Sequence, residues 1–295
     1  MFGVGKSASR TQTARMNRLP LEDNFTDVVG KAQRGLGISD SALAKHSGVS
    51  VEAIRKLKSG EVDGESLAKI APHLRLDADT LVTMAHVEWY PEVPEFPDGF
   101  EMFTTRYGDM SVNSYLVWDA ACGDAVAFDT GASCDGMLSA ATRRELKIRL
   151  ILLTHTHEDH VEDLPRLRNA TGAPVHLSSR GSFPGARPLA EGDELRLGSL
   201  RIRTLHTFGH ADDGSTFVID GLTHKLAIAG DSLFASSMGG SATNYEDGYR
   251  NNMEKIFTLP DDTVLATGHG PLTTVGQERL HNPFFAGKFT GESKL

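Results

Sequence analysis

Thr154-His155-Thr156-His157-Glu158-Asp159-His160 places three imidazoles and two carboxylates within six consecutive positions. It follows Arg149-Leu150-Ile151-Leu152-Leu153, a short apolar run of the kind that forms a buried strand. The cluster therefore belongs at the carboxyl end of a strand, the edge where α/β layers leave side chains free to converge on a ligand. His155 and His157 alternate there and can turn toward one ion, while Asp159 and His160 open the next element and point to a neighbouring position. Imidazole suits zinc or iron, and the added carboxylate suits a second site nearby. A polar loop before a helix would account for Glu158 and Asp159, but not for three histidines.

The chain of 295 residues is long enough for two domains and a sizeable core. Charged residues at 23% and apolar ones at 39% are the balance of soluble globular proteins. No apolar run reaches the length of a bilayer span, and Met1 to Pro20 has no apolar core of the signal-peptide kind, so a cytoplasmic protein without a membrane partner is expected. Cys122 and Cys134 form neither a disulfide framework nor a Cys-x-x-Cys pair, which suits a reducing compartment and inert packing. The net charge of −9 is uneven: residues 1–87 hold 12 Lys and Arg against 10 Asp and Glu, and the remainder holds 18 against 29. Two regions with different partners would have this distribution.

Residues 1–20 carry Lys6, Arg10, Arg15 and Arg18 without an acid among Ser, Thr and Gly, and read as a mobile basic arm. Residues 21–87 read as a helical domain. Asp40 or Ser39 can cap a helix through Leu43 that ends at Gly48, and Ser50 can cap a second through Ile54 and Leu57 that stops at Gly60. Further helices are expected from Gly64 to Leu74 and from Asp77 to Met84. Two short helices joined through a glycine turn make a helix-turn-helix unit. The stretch Ile38-Ser39-Asp40-Ser41-Ala42-Leu43-Ala44-Lys45-His46-Ser47-Gly48-Val49-Ser50, followed by Ala53-Ile54-Arg55-Lys56-Leu57-Lys58-Ser59-Gly60, resembles the Cro/C1 (Xre-type) helix-turn-helix family. That resemblance implies double-stranded DNA as a partner, read by Ser50, Glu52, Arg55 and Lys56 with Lys58 near phosphate, and a homodimer or higher homo-oligomer to match paired half-sites. A helical module kept for dimerisation or packing is the alternative, and a balance of only +2 over residues 1–87 suits it.

Residues 88–99 form a Pro-rich linker, with Trp89, Tyr90 and Phe96 able to clip it onto one domain. From residue 100 to 295 the pattern changes to strands, at Phe103–Tyr107, Val112–Trp118, Ala125–Phe128, Leu195–Leu197, Leu200–Leu205, Ser215–Ile219 and Lys225–Ala229, with a helix from Asp135 to Leu146 and another starting near His160. Strands in two batches, each with helices, imply two facing sheets covered by helices. Three more candidate ligands follow strands, each just after a glycine: Gly209-His210, Gly230-Asp231 and Gly268-His269. Glycine there allows the backbone to approach a site closely.

Together, the His-x-His-x-Asp-His cluster and these three residues resemble the metallo-β-lactamase-fold superfamily. The fold class expected for the whole chain is thus an all-α helix-turn-helix domain followed by an αββα sandwich. The resemblance implies two divalent ions, zinc first with iron or manganese as alternatives. His155, His157 and His210 would hold one, Asp159, His160 and His269 the other, and Asp231 would bridge them. Asp129, in Asp129-Thr130-Gly131, would support the site without binding metal. Stretches such as Lys255-Ile256-Phe257-Thr258-Leu259-Pro260 and Gly268-His269-Gly270-Pro271-Leu272 look like the short glyoxalase-II-like and persulfide-dioxygenase-like branch. The implied activity is hydrolysis of a thioester, lactone or similar ester by a metal-activated hydroxide that Asp159 orients. The alternatives are a mononuclear Fe(II) enzyme using His155, His210 and Asp231, or a transcriptional regulator whose metal domain senses a ligand. Two departures weaken any glutathione specificity: Val161-Glu162 follows His160 where the family has glycine, and Met238-Gly239-Gly240-Ser241 replaces the usual stretch after the bridging aspartate. Glu158, Glu162, Asp212, Asp213, Glu246 and Asp247 would give the pocket an acidic rim if they point inward, and Tyr115, Tyr245, Tyr249 and Arg250 are candidate pocket residues.

Overall fold

Alternating side chains build two opposed sheets in the computed structural model, which describes residues 18–92, 94, 96–241 and 244–289. The first sheet contains β1 (Phe100–Tyr107), β2 (Met110–Trp118), β3 (Asp124–Phe128), β4 (Lys147–Leu152), β5 (Val175–Ser178) and β6 (Ala186–Leu189), in that order. The second contains β7 (Glu194–Leu197), β8 (Leu200–His206), β9 (Ser215–Asp220), β10 (Leu226–Gly230), β13 (Val264–Thr267) and β14 (Thr273–Thr274), ordered β14-β13-β10-β9-β8-β7. A small ribbon, β11 (Leu233–Phe234) with β12 (Ser237–Met238), follows β10. Because successive side chains point to opposite faces, Tyr115, Val117, Val126 and Phe128 meet Phe217, Ile219, Leu226 and Ile228 between the sheets. Their neighbours Leu116, Ala125 and Ala127 face outward to Met137 and Ala140 of a helix over Asp135–Arg143 and to Leu164 and Leu167 of another over Leu164–Thr171. The result is the αββα layering read from the strand pattern.

The helices before the sandwich are α1 (Phe25–Gly35), α2 (Asp40–Ser47), α3 (Val51–Lys58), α4 (Gly64–Ile70) and α5 (Ala78–Ala85). Helix α1 starts at a reciprocal cap, with Asn24 Oδ1 accepting from Thr26 N and Asp27 Oδ2 accepting from Asn24 N, which satisfies donors that a helix start leaves free. Ser39, not Asp40, caps α2, and Gly48 ends it at φ 73°. The helix expected over Gly64–Leu74 divides, its second half becoming a 3₁₀ turn at Ala71–Leu74, because Pro72 has no N–H to continue the α-helical ladder. The helix expected to reach Leu146 stops at Arg143, with Glu145 at φ 56°. Strands β5, β6, β11, β12 and β14 are absent from the sequence reading, being too short for their alternation to show.

These helices do not stand apart from the sandwich. Phe25, Val28, Leu43, Ile54 and Leu81 share one buried cluster with Val218, Ala229, Leu265, Phe257 and Phe284. The outer face of the second sheet is therefore roofed in part by residues from the first third of the chain. The Pro-containing connector is fastened as well: Trp89 stacks on His281 at 4.6 Å, and Tyr90 donates through its hydroxyl to Leu19 O at 2.8 Å. Arg18 lies over the Tyr90 ring, so the end of the expected 1–20 arm is docked; residues 1–17 lie outside the described residues. No helix among the described residues is long and apolar enough to cross a membrane.

Contact between α1 and the helix over Tyr245–Glu254 is close. A Cβ on Gly35 would stand 2.2 Å from the Tyr245 ring. Alanine gains about 1 kcal/mol of helix propensity over glycine, but overpacking a buried ring costs about 1–3 kcal/mol and prevails here. Gly35→Ala should therefore lower the urea midpoint; an unchanged or raised midpoint would show that α1 moves freely from the sandwich.

Candidate metal centre

The cluster lies at strand ends, as its sequence setting requires. His155 and His157 follow β4, and Asp159 and His160 begin a short helical turn over Glu158–Val161. His210 lies between β8 and β9, Asp231 follows β10, and His269 follows β13. Gly268 permits this convergence, since a Cβ there would stand 1.9 Å from Asp231 Oδ1. The structure thus brings all seven side chains together. His155, His157 and His210 form one group with ligand atoms within 4.8 Å of one another; His155, His160 and Asp231 form a second; Asp159, His160 and His269 form a third.

Hydrogen bonds outside the cluster fix which nitrogen each ring turns inward. Carboxylates and carbonyls only accept, so His160 Nδ1 donates to Asp129 Oδ2 at 2.8 Å, His269 Nδ1 to Ser111 O at 2.7 Å, and His210 Nδ1 to Gly240 O at 3.1 Å. Thr154 Oγ1 gives its proton to Asp129 Oδ2 at 2.7 Å and is left to accept from His155 Nδ1 at 3.1 Å. Four rings therefore present Nε2 to the centre. His157 presents Nδ1 instead, 3.1 Å from His155 Nε2 and 3.0 Å from His210 Nε2. Two ligands of a tetrahedral zinc with nitrogen at about 2.05 Å would be roughly 3.3 Å apart, close to this spacing. Asp231 spans the cluster, with Oδ2 3.4 Å from His210 Nε2 and 3.3 Å from His269 Nε2, and Oδ1 3.3 Å from His160 Nε2. His160 Nε2 and Asp231 Oδ1 are buried without a hydrogen-bond partner, a costly state that a shared cation would relieve. The donor set fits divalent metal.

Burial and charge act against each other within the cluster. Burial disfavours a charged His160, yet the Asp231 and Asp129 carboxylates push its pKa up to about 10. Burial acts likewise on His269, and Asp231 with Asp159 outweighs it, to about 11. Burial would raise the Asp231 carboxyl, but His160 and His269 hold it well below the usual range. His155, buried and facing other imidazoles, is held well below its ordinary value.

The centre opens into a cavity of about 450 Å³. One wall comes from the helical region, through Glu22, Asp23, Lys31 and Arg34. Nothing in the local motifs signals these residues, because their contacts span about two hundred positions of sequence: Lys31 Nζ donates to Met238 O at 3.0 Å. Met110 and Phe234 also line the cavity. The acidic rim suggested by the sequence does not form. Glu158 accepts from the Tyr107 hydroxyl, Asp213 accepts from Thr156, Asp212 accepts from Asn244, and Glu246 and Asp247 pair with Arg75 and Arg250. None of these acids lines the pocket, and neither do Glu162, Tyr115, Tyr245, Tyr249 or Arg250. Tyr115 is buried between the sheets, and its hydroxyl donates to Thr267 O. Cys134 is buried, and burial pushes its thiol up to about 12.

The residues read for DNA contact lie on or beside α3. Glu52, Arg55 and Lys56 are exposed, whereas the Ser50 hydroxyl is occupied in accepting from Ala53 N. Lys58 and Arg55 share Asp40, at 2.9 and 4.0 Å.

Two helix-covered sheets with histidines and aspartates gathered at their strand ends define a metal-binding αββα protein. A profile of the Metallo-beta-lactamase superfamily matches residues 107–269, and the chain belongs to that superfamily. The probable metallo-hydrolase YqgX of Bacillus subtilis is 32% identical over 205 residues, covering 61% of this chain and 95% of its own length. The hydroxyacylglutathione hydrolase GloC of Haemophilus influenzae is 27% identical over 201 residues, covering 60% of this chain and 93% of its own. Among solved structures, that of ETHE1 from Myxococcus xanthus is similar at a TM-score of 0.57 and 29% identity, covering 63% of this chain and 85% of that one.

Asp129 supplies a direct test of the hydrogen-bond frame. It sits at φ 54°, a conformation asparagine tolerates, so Asp129→Asn should fold. Removing a carboxylate that orients ligand histidines typically lowers metal affinity by about 10–100-fold. Chelator competition should show that loss, and unaltered affinity would mean that Asp129 serves the backbone alone.

Proposed function

We propose that the chain is a two-metal hydrolase acting on a thioester, lactone or similar small ester. The observation that carries this reading is the inward convergence of seven ligand side chains on a space that leaves His160 Nε2 and Asp231 Oδ1 otherwise unpartnered. His155, His157 and His210 would hold one ion, Asp159, His160 and His269 the other, with Asp231 between them. Divalent ions at such a centre lower the pKa of water and polarise an acyl oxygen. The chain's own part is geometric. Backbone, carboxylate and, for His155, hydroxyl acceptors lock His155, His160, His210 and His269 in one tautomer before substrate arrives. Hydrogen bonding to His269 helps to keep the Asp159 carboxyl below its ordinary range despite burial, so it is ionised and able to orient the attacking water. YqgX, by name a probable metallo-hydrolase, and GloC, by name a hydroxyacylglutathione hydrolase, support the reaction class.

Metal analysis should give two ions per chain, zinc, iron or manganese. One ion per chain would instead favour mononuclear Fe(II) on His155, His210 and Asp231, a two-histidine, one-carboxylate set. On a thioester and lactone panel, His157→Ala and Asp231→Ala should each lose roughly 10²-fold or more in kcat; undiminished turnover in both would sink the hydrolase reading.

A second reading, DNA binding through α3, is favoured by the turn at Gly48 and by the outward Glu52, Arg55 and Lys56. In this reading the protein acts as a homodimer whose metal centre also senses its ligand. Arg55→Ala with Lys56→Ala should abolish a sequence-selective, salt-dependent mobility shift of the gene's upstream DNA. Binding without sequence preference at moderate salt would argue against it.

A further inference from the structure

We infer that Arg34 of α1 binds a carboxylate, or an oxyanion of similar size, on the substrate, so that the pocket selects anionic esters and thioesters; this rests on the hydrolase reading. Lys31 and Arg34 are one turn apart on α1, and both line the cavity in front of the metal centre. Their circumstances differ. Lys31 Nζ donates to Asp23 Oδ2 at 2.5 Å and to Met238 O, and its stem crosses Gly240. Its charge is already matched, and it serves to seat α1 against the loop that carries the acceptor for His210. Arg34 is exposed, and no acid among the described residues forms an ion pair with it.

A glycine makes room for that guanidinium. A Cβ on Gly30 would stand 3.0 Å from Arg34 Nη1, so the side chain folds back over Gly30. Glycine inside a helix is less favourable than alanine, and the space it leaves is filled by the guanidinium. The acids on the same wall have other partners: Asp23 is engaged by Lys31 and by Ser237 Oγ, and Glu22 stands 3.9 Å from His269. An anionic group would therefore settle on the α1 side, where a planar guanidinium can grip a carboxylate with two hydrogen bonds. Arg34 also lines a second cavity of about 390 Å³ that reaches Lys58, which gives a longer substituent somewhere to go.

The test compares adipoyl thioesters with their isosteric terminal amides on the metal-loaded full chain. The wild type should favour the acid by about tenfold or more in kcat/KM, mainly through KM. That ratio should fall toward one in Arg34→Ala, fall less in Gly30→Ala, and be partly kept by Arg34→Lys. Titration with adipic acid monoamide reads the same contact without turnover, and its affinity should drop about tenfold in Arg34→Ala. A ratio or an affinity unaltered by Arg34→Ala would overturn the assignment. Absent turnover with Arg34-dependent binding would sink the hydrolase reading and leave the anion site standing.

Discussion

One buried carboxylate, that of Asp129, holds the first half of the centre in order. Its Oδ1 accepts from Thr154 N, and its Oδ2 accepts from Thr154 Oγ1 and His160 Nδ1. Through Thr154 the same group also fixes His155. Strand β4 thus ends at a point tied to the end of β3, and two imidazoles leave that point with their Nε2 atoms already aimed. Such preorganisation matters because a ligand ring free to rotate would have to be ordered at the moment of binding. A left-handed backbone at Asp129 is tolerable for an aspartate, and three hydrogen bonds hold it there.

Around this point the fold is assembled by size as much as by polarity. Outward residues of the central strands are small, as with Ala125 and Ala127 on one sheet and Ala227 and Ala229 on the other. Helices can therefore pack close to both sheets. On the second sheet part of that cover is the helical region, which brings α1 to the rim of the metal centre. Lys31, Asp23 and Ser237 clamp it there in a buried set of charge-assisted bonds.

What the sequence discloses depends on range. His155, His157, Asp159 and His160 are legible because their spacing is local, and His210, Asp231 and His269 because each follows a glycine at the end of an apolar run. The sandwich is legible from alternation in β2, β3, β9 and β10. Arg34, Lys31 and Glu22 are not, since a surface arginine on an amphipathic helix looks the same whether it faces water or a catalytic mouth. The acidic rim failed for the mirror reason: Glu158, Asp212 and Glu246 are near the site in sequence, but each has a nearer partner on the surface. Pro72 and Glu145 ended helices that apolar periodicity alone would have continued.

The wall formed by α1 bears on ancestry. YqgX and GloC are matched over 95% and 93% of their own lengths by about three fifths of this chain. Proteins of that size have little polypeptide left with which to build a counterpart of α1 at the mouth. The metal-binding framework can be inherited along such an alignment, but substrate preference cannot be transferred with it. In this chain one wall of the cavity comes from residues that precede the 107–269 stretch carrying the histidines and aspartates of the centre.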